Sequence, residues 1–278
     1  MAGPPIQRRT LIGAGLGLSA GLGARPAAAQ GLSRFTGRTS GSGVANPAAF
    51  DDLLARRARA SSDGVVRVDY AGWSRSTADR EALKRYIENL TALNPLSLSR
   101  PEQFAFWANL YNALTLQVVL GAFPVASIRA ISTSGLLPGP WWKAITRVGG
   151  VDLSLNNIEH DILRKGWRDP RVHYAVNCAS FSCPNLPLRA LRGASLDETL
   201  DAAARDYVNH PRGVRFEGEK LIVSSIYRWY AGDFGGSDAK VIAHLAQYAA
   251  APLRVRLQCV DRIARGGYDW SLNATTET

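Results

Sequence analysis

The chain is short of lysine, of cysteine and of long apolar runs, and each shortage excludes something. Only five of its 33 basic residues are lysines (Lys84, Lys143, Lys165, Lys220 and Lys240), an arginine excess of the kind that GC-rich codon usage produces. No tight basic cluster is interleaved with aromatics, which sets nucleic acid aside as a partner. Beyond the N-terminal leader, no run of roughly 18 residues is free of polar interruptions, so no transmembrane helix is predicted. Three cysteines, Cys178, Cys183 and Cys259, permit one bridge and leave one thiol over. His160, His173, Cys178 and Cys183 offer nitrogen and sulfur ligands, yet their spacing fits no usual zinc pattern. Neither a metal nor a cofactor is predicted. There is no internal repeat and no second linker.

What is present begins with an export leader. Arg8 and Arg9 precede a weakly apolar, Gly-rich run over 11–24, and Pro26-Ala27-Ala28-Ala29 offers small residues for cleavage before Gln30. Paired arginines, a mild apolar core and an Ala-x-Ala end are the layout of a twin-arginine signal. Residues 1–29 are read as that signal, cleaved near Ala29. The twin-arginine machinery is then a partner during export and the periplasm the destination. Cleavage removes three arginines and no acids, so the formal charge falls from +10 to +7 over 249 residues. A basic protein outside the cytoplasm meets anionic envelope polymers and lipid surfaces first. Residues 30–46, rich in Gly, Ser, Thr and Arg, read as a flexible leader. Residues 47–275 read as a single globular domain, long enough for a well-filled core.

Helices and strands are mixed. Residues 47–60 and 77–93 have helical apolar spacing, with a short alternating strand at 65–70 between them. Ser99 and Glu102 form the pattern of a capping box that opens a long helix over 103–120, and Gly121 to Pro124 stop it. Gly149-Gly150 marks a hairpin turn, and a second hairpin joins Arg215-Phe216 to residues 221–223. A short helix is predicted at 156–165, a strand at 171–178, helices at 196–208, 226–230 and 238–249, and a strand at 253–259. The elements do not alternate regularly enough for a doubly wound parallel sheet. The prediction is α+β: one domain, with a central buried helix on a small, mainly antiparallel sheet.

Polar residues in apolar surroundings locate a candidate site. Asn109 and Asn112 lie one turn apart inside the long apolar helix, and buried amides require partners, either backbone or ligand. Glu159, three residues after Asn156, suits a capping box as well as a site carboxylate. His160 and Arg164 lie one turn apart after it. On a strand, His173, Ala175 and Asn177 would share one face and Cys178 the other. Cys178 then meets His173 only if the strand ends near Asn177. Cys178 and Cys183 read either as a disulfide, ordinary in the periplasm, or as a source of a thiolate nucleophile with His173 as base.

The strings Phe106-Trp107-Ala108-Asn109-Leu110-Tyr111-Asn112, Trp141-Trp142-Lys143, Ile158-Glu159-His160 and Asp169-Pro170-Arg171-Val172-His173 carry a resemblance. So do Asn177-Cys178-Ala179-Ser180, Cys183-Pro184-Asn185-Leu186, Trp229-Tyr230, Asp233-Phe234 and Tyr268-Asp269-Trp270. In these the chain resembles family 547 of the domains of unknown function over most of residues 50–273. That family implies no activity. More loosely, a helix bearing a reactive residue followed by a strand carrying His is similar to the papain and transglutaminase-like arrangement. There the helix supplies the cysteine, where this chain has Asn109 or Asn112. The resemblance implies either a non-catalytic relative or a thiol supplied instead by Cys178 or Cys183.

Two functions follow as expectations. The first is an exported binding or scaffold module that clasps a small polar ligand or peptide through Asn109, His160, Arg164, Asn177, Trp229 and Tyr230, with Trp142 as a further wall. The alternative is a thiol-dependent hydrolase or acyltransferase acting on peptide or amide bonds. It would use Cys178 as nucleophile, His173 as base, Glu159 as orienter and Asn112 as amide donor to an oxyanion. A Cys178–Cys183 disulfide separates the two, because an oxidised cysteine cannot attack.

Overall fold

The computed structural model of the protein describes residues 27–132 and 138–275. The signal read over 1–29 lies outside the described residues except for its last three positions, which open a helix, Ala27–Thr36. The leader predicted over 30–46 is therefore helical through Thr36. Phe35 is buried, its ring edge-on to Trp107 at 5.0 Å, and Leu32 packs on the same core. Leu32 and Phe35 are three apart on one helical face, a short apolar stripe that the surrounding Gly, Ser and Arg mask.

The long helix predicted over 103–120 runs over Arg100–Ala122, and every residue from Glu102 to Leu116 is buried. A helix apolar all round is a core helix rather than a surface one. Pro101 stands in its first turn, where a missing N–H costs nothing. The predicted capping box does not form: Ser99 precedes the helix without a side-chain cap. Glu102 instead reaches across the fold and accepts the Gly193 N–H at 2.6 Å. A Cβ on Gly193 would stand 2.7 Å from the Glu102 backbone nitrogen, so only glycine fits this close approach. The helices Tyr70–Arg75 and Thr77–Ala92 and the turn of π-helix Asn157–Leu163 pack on the central helix.

The fold is α+β, with small sheets rather than one central sheet. Ala58–Ala60 pairs antiparallel with Val66–Val68, and Thr146–Val148 with Val151–Leu153. The second hairpin turns at Gly149 and Gly150 with φ of 53° and 83°, values that favour glycine. Val214–Glu217 pairs antiparallel with Lys220–Ser224, which in turn pairs parallel with Arg265–Gly267. This sheet and the helices Leu196–Val208 and Asp238–Tyr248 enclose a second apolar cluster around Tyr174, Tyr207 and Tyr227.

Two predicted strands are helical. Residues 253–259 belong to the helix Ala251–Gln258, opened by Pro252 at its start. Within 171–178, Val172–Ala175 is a single helical turn. Asp169 nucleates it, its carboxylate accepting the Arg171 N–H at 2.8 Å and its carbonyl the Val172 N–H at 3.1 Å. The run looks like a strand because both of its sides are buried. Val172 and Ala175 enter the first cluster and Tyr174 the second. This turn lies where the two clusters meet, and so does the candidate site.

Candidate functional site

Buried asparagines hold the backbone around the two thiols. Asn112 of the central helix donates to the Ala175 carbonyl at 2.9 Å and accepts the Asn177 N–H at 2.8 Å. Asn177 in turn donates to the Pro184 carbonyl at 2.7 Å and accepts the Ala179 N–H at 2.8 Å. That second pair closes the 177–184 loop and holds Ala179 at φ 60°, a left-handed conformation costing an alanine about 1 kcal/mol or more. Asn109 makes the same two-way clamp on Leu191, at 2.9 Å in each direction. The amides predicted as ligand or oxyanion contacts are engaged by backbone, and none of the three lines the cavity described below.

The closed loop brings Cys183 onto Cys178. Their sulfurs are 3.3 Å apart, and the Cys178 N–H donates to Cys183 Sγ at 3.1 Å. Both are free thiols, as is the exposed Cys259, so the predicted bridge is not formed here. Cys178 Sγ also lies 3.1 Å from Ser180 Oγ and 3.3 Å from the Tyr268 hydroxyl. The hydrogen bond shared with Cys183 lowers the Cys178 pKa to about 7; burial opposes this, and Ser180 and Tyr268 add to the lowering. Burial, followed by the neighbouring Cys178, pushes the Cys183 thiol up. Of the two thiols, Cys178 is therefore the one that ionises more readily.

A second polar chain meets the same cavity. His173 Nε2 stands 2.7 Å from Asp233 Oδ2. A carboxylate can only accept, so the ring proton sits on Nε2 and leaves Nδ1 with the lone pair. Arg164 grips both oxygens of Asp233, at 2.5 and 3.0 Å. Burial alone would raise the Asp233 carboxyl. The hydrogen bonds from His173 and Arg164 outweigh it and hold the group well below the usual carboxylate range. Arg164 also donates to His160 Nδ1 at 3.2 Å, and burial lowers the His160 pKa. The His173 ring stacks on Tyr230 at 4.3 Å between centroids.

Glu159 is free of the capping role that its sequence suggests. Ser154 and Asn157 form the capping box here: Asn157 N–H donates to Ser154 Oγ at 3.2 Å and Ser154 N–H to Asn157 Oδ1 at 3.0 Å. The π-helical turn that follows, a geometry frequent at functional sites, carries Glu159 and His160 to the cavity wall.

Glu159, His160, His173, Cys178, Trp229 and Tyr230 line one cavity of about 310 Å³, together with Tyr111, Trp141, Trp142, Asn156, Val176, Cys183, Ile226, Tyr268 and Trp270. The structure thus brings together seven of the residues singled out in the sequence, Cys183 among them, and Trp142 with them. It leaves Asn109, Asn112 and Asn177 behind the wall, and Arg164 in an adjoining cleft that shares His160. Sequence reasoning passed over Asp233, Ser180 and Tyr268. The carboxylate hydrogen-bonded to His173 is Asp233, while Glu159 lies 3.8 Å from His160 Nδ1. Asp233 and Tyr268 occur in the strings that carry the resemblance, but no local periodicity marks either. Among the described residues no cluster of metal-binding side chains occurs, and no helix is long and apolar enough to cross a membrane.

No curated protein and no solved structure matches the chain. A family model matches residues 95–208, which include the central helix, the asparagine clamps, Glu159, His160, His173 and both thiols. Asp233, Trp229, Tyr230, Tyr268 and Trp270 follow the matched segment. The matched model is that of the family described as protein of unknown function, DUF547, and over residues 95–208 the chain is similar to it.

Proposed function

We propose that the cavity is the active site of a thiol-dependent hydrolase or acyltransferase that acts on amide or peptide bonds, exported by the twin-arginine leader to the periplasm. One observation carries this reading: a thiol with its pKa lowered to about 7 shares a cavity with a histidine oriented by a carboxylate. Nucleophile, base and orienter are the arrangement that acyl transfer uses on several unrelated folds. Asp233, rather than Glu159, takes the orienting role in this proposal.

The steps balance as follows. Cys178 gives its proton to His173 Nδ1, and the thiolate forms a bond to the substrate carbonyl carbon as the C=O pair moves to oxygen. The pair returns, the carbon–nitrogen bond breaks, and the leaving amine takes the proton from His173. Water, or an acceptor amine or alcohol, then gives a proton to His173 and attacks the thioester. The carbon–sulfur bond breaks, and the departing Cys178 sulfur takes the proton back from His173 Nδ1, which restores both groups. Tyr268, with its hydroxyl 3.3 Å from the sulfur, is placed to donate as charge moves from sulfur to oxygen. Arg164 keeps Asp233 charged and in place behind His173.

A binding module without chemistry is the second reading. It is favoured by the amides of Asn109, Asn112 and Asn177, which are engaged by backbone and offer no oxyanion contact. Intact-mass measurement after incubation with p-nitrophenyl esters and aminoacyl thioesters separates the two. An acyl adduct that maps to the Cys178 peptide and is absent in Cys178→Ala is expected. Normal alkylation of Cys178 with no acylation by any donor would leave the binding module.

A further inference from the structure

We propose that the cavity takes a substrate bearing a cationic amine, with the ammonium head held between the Glu159 carboxylate and the aromatic wall of Trp229, Tyr230 and Trp270. The proposal rests on the acyl-transfer reading only for which bond is cut; the recognition stands on its own observations.

The first is a carboxylate without a partner. Glu159 is 7% exposed, and its side chain makes no hydrogen bond among the described residues. Its nearest basic nitrogen, His160 Nδ1 at 3.8 Å, already accepts from Arg164 at 3.2 Å and so cannot donate to it. Arg164 itself is bound to Asp233 through both oxygens. A buried carboxylate without a hydrogen bond, whose nearby cation Arg164 is committed to another carboxylate, is costly unless something supplies a partner.

The second is the composition of the wall. Seven of its fifteen residues are aromatic, and none is lysine or arginine, in a chain whose net charge is +10. Trp229, half exposed at 51%, stacks on Trp270 at 5.6 Å and meets Tyr268 at 4.9 Å. Aromatic faces beside a carboxylate attract an ammonium group twice, through the ring quadrupole and through charge. An anionic substrate would meet both Glu159 and the Cys178 thiolate, and like charges disfavour it.

The test compares choline with its neutral isostere 3,3-dimethylbutan-1-ol by calorimetry on the full chain, in parallel with Cys178→Ala. Choline is expected to bind about tenfold tighter or better, with the preference falling below about threefold in Glu159→Gln. Equal affinities, or tighter binding of butyrate than of butylammonium, would overturn the proposal. Should Glu159→Gln fail to fold, Trp229→Leu at the cavity mouth is expected to weaken choline more than the isostere; equal loss overturns the proposal. Acylation of Cys178 without cation preference defeats this substrate class alone. Cation preference without acylation defeats the acyl-transfer reading alone.

Discussion

Asp233→Asn is expected to slow acylation of Cys178 by about 10²–10⁴-fold, the range that general acid–base catalysis supplies. The amide keeps the size of the side chain but not its charge. Two donors converge on the carboxylate, His173 Nε2 at 2.7 Å and the Arg164 guanidinium at 2.5 and 3.0 Å. An amide has one acceptor oxygen, so one donor loses its partner or meets an NH₂ group. The proton is then no longer fixed on Nε2, and Nδ1 is no longer reserved as the base. Stopped-flow acylation with a p-nitrophenyl ester reads the rate, and calorimetric melting shows whether the fold is kept. A wild-type rate in a folded Asp233→Asn would remove the orienting role. Asp233 ionises well below the usual carboxylate range, so its titration leaves the rate untouched from mild acid upwards. The rise of the rate with pH should instead follow the Cys178 thiolate, with a midpoint of about 7.

Asn112→Ala is expected to cost roughly 2–5 kcal/mol of stability, from two hydrogen bonds lost and two buried backbone groups left unsatisfied. For a domain of this size that lowers Tm by on the order of 6–15 °C. Asn109→Ala removes an equivalent clamp, on Leu191, and is expected to cost a similar amount. The two differ in what they do to the thiol. Asn112 fixes the chain at Ala175 and Asn177, next to Cys178. Its loss should loosen the approach of Cys183, Ser180 and Tyr268 and raise the alkylation midpoint of Cys178 from about 7 towards that of a free thiol. Asn109→Ala should leave that midpoint in place. Equal midpoints in the two variants would mean that the clamp supports the fold without tuning the sulfur.

The sequence made the central helix legible because Pro124 ends it and because asparagines inside an apolar run demand partners. Those partners proved to be backbone at Ala175, Asn177 and Leu191, which no spacing rule reveals. Local patterns misled where tertiary contacts took the residues elsewhere. Glu102 left Ser99 for Gly193, and Glu159 was replaced as a cap by Asn157, bonded to Ser154 two residues earlier than expected. The turn at Val172–Ala175 looked like a strand because two separate apolar clusters bury it from both sides. Asp233 was out of reach for a different reason. It sits among Gly232, Gly235 and Gly236, reads as loop, and meets His173 across 60 positions of chain. The spacing of Cys178 and Cys183 allowed the two to meet but did not fix on which face Cys183 returns or which sulfur ionises more readily.

The most direct test of a free, low-pKa thiol at Cys178 is its alkylation rate as a function of pH. The protein is labelled with iodoacetamide while folded, quenched in acid and mapped by peptide mass without reduction. The account predicts that Cys178 reacts with a midpoint of about 7, and that Cys183, buried behind it, stays unlabelled there. A midpoint in the ordinary thiol range of about 8.5, or recovery of the two residues as a disulfide-linked peptide in the exported protein, would contradict it.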